Sequence, residues 1–114
     1  MIEVKNIPNK GRGVVASTDI KSGEVITKDP VCEIPVSWDY PPGIDNYRMS
    51  WTDQEDVLAL GLSMLLNHSE NSNVSIENDY ENRLKVAIAK RDILSGEELT
   101  ITYKCPLWFE VNEA

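Results

Sequence analysis

Short alternations of apolar and polar residues, broken by clusters of Gly, Pro, Asn and Asp, run along this chain and predict strands and hairpins. Ile2-Glu3-Val4-Lys5 and Gly13-Val14-Val15-Ala16 read as strands flanking the turn Asn9-Lys10-Gly11-Arg12. Glu24-Val25-Ile26-Thr27 and Val31-Cys32-Glu33-Ile34-Pro35 read as two further strands, parted by Asp29-Pro30 because proline cannot donate to a ladder; Pro35 suggests an edge. From Ser37 the period is lost in an aromatic, turn-rich stretch holding Trp38, Tyr40, Tyr47 and Trp51, and 37–56 reads as a variable insert over the core. Val57 to Leu66 is apolar almost throughout and predicts a buried segment, strand or short helix. The polar run Asn67 to Asn73 predicts a loop, since those groups cannot be buried without partners. Val74-Ser75-Ile76 and Leu84 to Lys90 are strand candidates about a turn over Asn78 to Asn82, with Leu84, Val86 and Ile88 sharing one face. Leu99 to Tyr103 is the last β-rich run, followed by the apolar cluster Leu107-Trp108-Phe109.

One internal similarity adds architecture. Residues 16–27 (ASTDIKSGEVIT) and 89–100 (AKRDILSGEELT) agree at seven of twelve positions, each a strand, a Ser-Gly turn and a strand. Glycine supplies a positive φ in each turn and the isoleucine before it can pack on the core, so the same corner is built twice. The implied fold is mainly β, made of short strands and hairpins with very little helix, in one domain over 1–114.

Charge narrows the partners. Nineteen acidic and eleven basic residues give a net charge of −8, which repels phosphate backbones and attracts cationic segments. Direct nucleic-acid binding is therefore not expected. The longest apolar stretch is far shorter than the ~20 residues that span a bilayer, so no membrane partner is expected. The amino terminus lacks an apolar signal core, which predicts a protein that is not secreted, with a cytoplasmic or nuclear address. Cys32 and Cys105 form no metal-ligand spacing and are expected as reduced thiols, and no metal site is expected. The sequons at Asn67 and Asn73 then have no acceptor role.

Candidate chemistry concentrates in three places. The chain has a single histidine and no G-x-S-x-G elbow, which disfavours two-histidine metal sites and serine hydrolases. Gly11-Arg12-Gly13 alone reads as a turn, and His68 alone as a packed or surface histidine. Their order changes this: G-x-G near the start, Asn67-His68-Ser69-Glu70-Asn71-Ser72-Asn73 after the apolar run, and Gly96-Glu97-Glu98-Leu99-Thr100-Ile101-Thr102-Tyr103 near the end. In this order the chain resembles the SET-domain protein lysine methyltransferases along essentially its whole length. The second motif is similar to the family's N-H-S-C-x-P-N, with Glu70 and Ser72 in place of cysteine and proline. The third matches G-E-E-L-T-x-x-Y. Without cysteine-rich flanking modules, the chain looks like the minimal virus-encoded or bacterial SET proteins.

The resemblance implies a β-clip fold with a carboxyl-terminal pseudoknot, and S-adenosyl-L-methionine as cofactor, leaving as S-adenosyl-L-homocysteine. It puts the methionyl end of the cofactor against Lys10, Gly11, Arg12, Gly13 and the Asn67 side chain, with His68 facing the adenine through its backbone. Trp108, in the segment 104–114 that would close the pocket, would cover the adenine ring, the plainer alternative being an anchor for the terminus. Tyr103 would be the catalytic tyrosine, Tyr47 would join the catalytic site by offering an aromatic to the cofactor or the lysine channel, and Leu107 would stand in that channel where many relatives carry a second aromatic. A neutral amine held about 3 Å from the methyl carbon suffices for in-line displacement. Burial and the adjacent sulfonium disfavour the lysine cation, so no dedicated base is needed. The implied substrate is a lysine in a basic protein or peptide, with a histone among the candidates, and small relatives raise a homodimer as a hypothesis. A noncatalytic SET-like peptide- or cofactor-binding module is the competing reading.

Overall fold

Two sheets carry the architecture of residues 1–102, which are the residues the computed structural model describes. Strands β1 (Ile2–Ile7) and β2 (Gly11–Ala16) join β9 (Glu98–Ile101) and β6 (Asn67–His68) in a four-stranded sheet ordered β1-β2-β9-β6. The second sheet is ordered β4-β5-β3-β8-β7, from β4 (Met49–Ser50), β5 (Glu55–Ala59), β3 (Val25–Pro35), β8 (Leu84–Ala89) and β7 (Val74–Asp79). Helix is confined to α1 (Pro42–Asp45) and a 3-10 turn over Leu62–Leu65. The mainly β fold with little helix expected from the sequence is the fold observed; the carboxyl-terminal segment that would complete the pseudoknot lies outside the described residues.

The doubled corner closes on its copy. Ile20 and Ile93 each donate an N–H to the other's carbonyl, at 2.8 and 2.7 Å. Gly23 N–H reaches Ala89 O and Gly96 N–H reaches Ala16 O, at 2.9 and 2.7 Å. Asp92 accepts from Ser22 N–H and Asp19 from Ser95 N–H, both at 2.8 Å. The glycines sit at φ +88° and +92°, where a β-carbon would be strained. Both isoleucines are fully buried among Val14, Ala16, Leu66, Val74 and Leu99, so one apolar core and one two-fold set of hydrogen bonds fix the two corners together.

Several local expectations are corrected. Val25 to Pro35 is one strand, not two: it pairs with β8 through Pro30 and with β5 from Val31 onward. Pro30 falls where it accepts from Leu60 N–H at 2.8 Å on the β5 side, at the ladder's end, so its missing donor costs one bond rather than the strand. Strand β2 begins at Gly11, because the hairpin turn is centred on Pro8, Asn9 and Lys10. Glu55 and Asp56, read as the end of the insert, pair with Pro35 and Ile34. The apolar run 57–66 is interrupted by Leu60, which is 61% exposed, and by Gly61, where a β-carbon would strike the buried Asp29 carboxylate that accepts from Ser63 N–H at 3.0 Å.

On β8 the fully buried face is Lys85, Ala87 and Ala89, opposite to the one bearing Leu84, Val86 and Ile88, which is partly buried. Lys85, 3% exposed, donates to Ser50 O and Asn78 Oδ1, both at 2.6 Å, and its ammonium lies 5.7 Å from the Trp51 ring centre. The Trp51 and Tyr80 rings meet at 4.6 Å, tilted by 53°, and Trp51 packs with Val31 and Val57 in a second core. The aromatic stretch after Ser37 is thereby fastened to the β7–β8 hairpin by a paired buried cation.

Two measurements test this account. Ile93→Ala should cost about 2–5 kcal/mol in urea unfolding, whereas Leu94→Ala, at a residue 62% exposed, should change stability by less than about 0.5 kcal/mol. Within the second corner the Leu94 N–H, helped by Arg91, holds the Glu97 carboxyl below its ordinary value. A lowered folded value stabilises above about pH 4.5 and is lost as pH falls through it. Glu97→Gln should therefore be less stable than the parent at neutral pH, by about 0.5 kcal/mol for a group whose side chain is 32% exposed. As the pH falls below the lowered folded value the two urea midpoints should converge.

Candidate functional site

The hairpin between β1 and β2 turns through Asn9 at φ +65° and Gly11 at φ +79°, with Lys10 N–H donating to Ile7 O at 3.0 Å. This tight turn sends the Lys10 side chain back over the sheet. β9 lies between β2 and β6: Val15 pairs with Glu98 on one side, and Asn67 pairs in parallel with Thr100 on the other. The three sequence motifs are therefore three neighbouring strands.

Glu98 is where they meet. Its Oε1 takes the Lys10 ammonium at 3.1 Å and its Oε2 takes Asn67 Nδ2 at 2.7 Å. Asn67 Nδ2 also donates to Arg12 O at 3.2 Å. The Lys10 and Glu98 side chains are 9% and 15% exposed, so this ion pair is largely shielded from water. Gly13 makes the approach possible. A β-carbon there would stand 2.7 Å from both Asn67 Nδ2 and Glu98 Oε2, and 2.6 Å from Ile7.

The polar run 67–73 is not a plain loop. Asn67 and His68 form β6, and His68, Ser69 and Asn73 are buried because each is partnered. Asn73 accepts from Thr100 N–H and donates to Glu98 O, both at 2.9 Å, which is how a neighbouring strand would bond that edge of β9. Ser69 N–H continues the β6 ladder to Ile101 O at 3.0 Å. The His68 ring is buried, with its Nε2 3.1 Å from the Glu70 carboxylate, while its backbone belongs to β6.

Of the residues singled out from sequence, Lys10, Arg12, Gly13 and Asn67 come together in one contact set, with Gly11 opening the strand and His68 following Asn67. Tyr47 lies between α1 and β4, 38% exposed, donating its N–H to Ile44 O. Tyr103, Leu107 and Trp108 lie outside the described residues, as does Cys105. Among the described residues no His, Cys, Asp and Glu cluster could hold a metal ion. Sequence reasoning missed Glu98 and the bonding role of Asn73. Both stand within quoted motifs, but Glu98 meets partners 88 and 31 positions away, which no local spacing reveals.

Comparison with known proteins agrees with this arrangement. Residues 11–104 match the SET domain family. A Schizosaccharomyces pombe histone-lysine N-methyltransferase specific for H3 lysine-37 is 32% identical over 113 residues, spanning 96% of this chain and 77% of that protein. The crystal structure of a candidate histone methyltransferase from Plasmodium falciparum superposes with a TM-score of 0.75 at 26% identity, over 95% of this chain and 96% of the other. With the family match covering most of its length and its motifs on adjacent strands, the chain belongs to the SET-domain family of protein lysine methyltransferases.

Proposed function

We propose that this chain is an S-adenosylmethionine-dependent protein lysine N-methyltransferase acting on a lysine within a basic segment, with a histone tail the substrate class that the relatives' names favour. The observation that carries this reading is the bonding of Asn67 to the G-x-G strand through Arg12 O, next to the Lys10–Glu98 pair. The residues present fit the amino-acid end of the cofactor. Both hydrogens of the Asn67 amide have partners, and no donor among the described residues is bonded to its Oδ1, which suits an ammonium. Lys10 has three donors and gives one to Glu98, which leaves it suited to a carboxylate. When bound, the cofactor supplies an activated methyl group on its sulfonium.

The chain's own residues do the remaining work. Lys10, the backbone of Gly11, Arg12 and Gly13, and the Asn67 side chain would hold the methionyl end, and the His68 backbone would serve the adenine. Trp108, outside the described residues, would cover the adenine, a role an indole face suits. Tyr103 would align the incoming amine through its hydroxyl, Leu107 would line the lysine channel, and Tyr47 would offer an aromatic to the cofactor or that channel from the segment after α1. Excluding water from that channel disfavours the lysine cation, so the amine reaches its nucleophilic form without a dedicated base. The net charge of −8 favours encounter with a basic substrate.

Calorimetric titration with S-adenosylmethionine should give saturable binding of one per chain, weakened at least tenfold by Asn67→Ala, a loss of about 1.4 kcal/mol. Absence of binding at millimolar cofactor would overturn the reading. Tyr103→Phe should abolish transfer of labelled methyl groups to histone peptides while leaving cofactor affinity and the unfolding midpoint within error; unchanged transfer would remove Tyr103 from the mechanism.

A further inference from the structure

Resting on the cofactor reading above, we infer that Glu98 is a positioning residue for the amino-acid end of the cofactor, acting through Asn67 and Lys10. The argument is a donor count. An asparagine amide has two hydrogens on nitrogen and an acceptor oxygen on the other side. Here the nitrogen faces Glu98 Oε2 and Arg12 O, both acceptors, so the amide has one chemically sensible orientation and its oxygen is the atom turned away from them. A carboxylate at 98 thus decides that position 67 offers an acceptor, the partner an α-ammonium requires.

The same carboxylate governs Lys10. With 9% of its side chain exposed, this cation has Glu98 as its ion-pair partner among the described residues, and loss of that carboxylate would drive it toward water. With Glu98 it stays beside the G-x-G strand as a donor while the pair remains neutral overall. A locally neutral pair holding one donor and one acceptor outward matches a zwitterion, the state of the methionyl end at neutral pH. Three features make the arrangement specific to this site. Gly13 leaves room for both bonds, Asn73 fixes the backbone on which Glu98 sits, and Glu98 itself is short of water.

The test separates the amino-acid end from the rest of the ligand. S-adenosylhomocysteine carries that end, and 5′-methylthioadenosine lacks it. By calorimetry on the full chain, Glu98→Ala should weaken S-adenosylhomocysteine at least tenfold and shift methylthioadenosine less than twofold. Glu98→Gln, whose amide oxygen can still accept from Asn67, should recover part of the loss and serves as the reporter if the alanine variant does not fold. Asn67→Ala combined with either substitution should lose several-fold less than the product of the single losses, because the two residues act through one bond. Equal weakening of both ligands, or losses that multiply, would make Glu98 a general structural residue and overturn the inference. Failure of the parent chain to bind S-adenosylhomocysteine would instead bring down the cofactor reading itself.

Discussion

A buried asparagine side chain standing in for a strand is the interaction on which the site depends. β9 is four residues long and must carry Glu98 to Lys10 and Asn67 while threading between β2 and β6. Its bonds to β2 satisfy one edge, and β6 is two residues long and meets the other only at Thr100 and Ile101. Asn73 takes up the remainder of that edge through Glu98 O and Thr100 N–H. Without it, peptide groups would be buried unpaired, at roughly 1–3 kcal/mol each. An amide both donates and accepts at the spacing a strand edge needs, which explains why asparagine suits the position.

Burial of polar groups recurs through the molecule with the same logic. Asp29 receives the Ser63 N–H above Gly61, Lys85 is held by Ser50 and Asn78 beneath Trp51, and Glu98 is held by Lys10 and Asn67. Each joins segments distant in the chain, and each would be costly if one partner were removed. These contacts select one register for strands too short to define it by apolar pattern alone. In two of the three cases a glycine provides the space, Gly61 for Asp29 and Gly13 for Glu98.

Much of this was legible in the sequence, and the failures share a cause. The hairpins, the doubled corner with its left-handed glycines, and the G-x-G, N-H-S and G-E-E-L-T motifs are local patterns, and local patterns report turns and faces directly. Pro30 was read as a break because a lone strand has no way of showing that it changes partners there. The buried face of β8 was hidden because its members are two alanines and a lysine, while the leucine, valine and isoleucine face the less covered side. The loop reading of 67–73 assumed that polar groups lack partners, and the partners of Asn67, Ser69 and Asn73 include groups 25 to 55 residues away.

The reciprocal closure of the two corners also sets the order in which the molecule can form. Asp92 caps the turn at Ser22 and Asp19 caps the turn at Ser95, across 70 and 76 positions. Each turn has its own local bonds, Glu24 with Lys21 and Glu97 with Leu94, but the aspartate that caps it comes from the other corner, so the first stays uncapped until almost the whole described chain has been synthesised. The loop entropy of that separation is met before any of these bonds is gained. Closure of the two corners is thus a long-range pairing, of the kind that slows the folding of β topologies, and it comes after the local hairpins β1–β2 and β7–β8 can form.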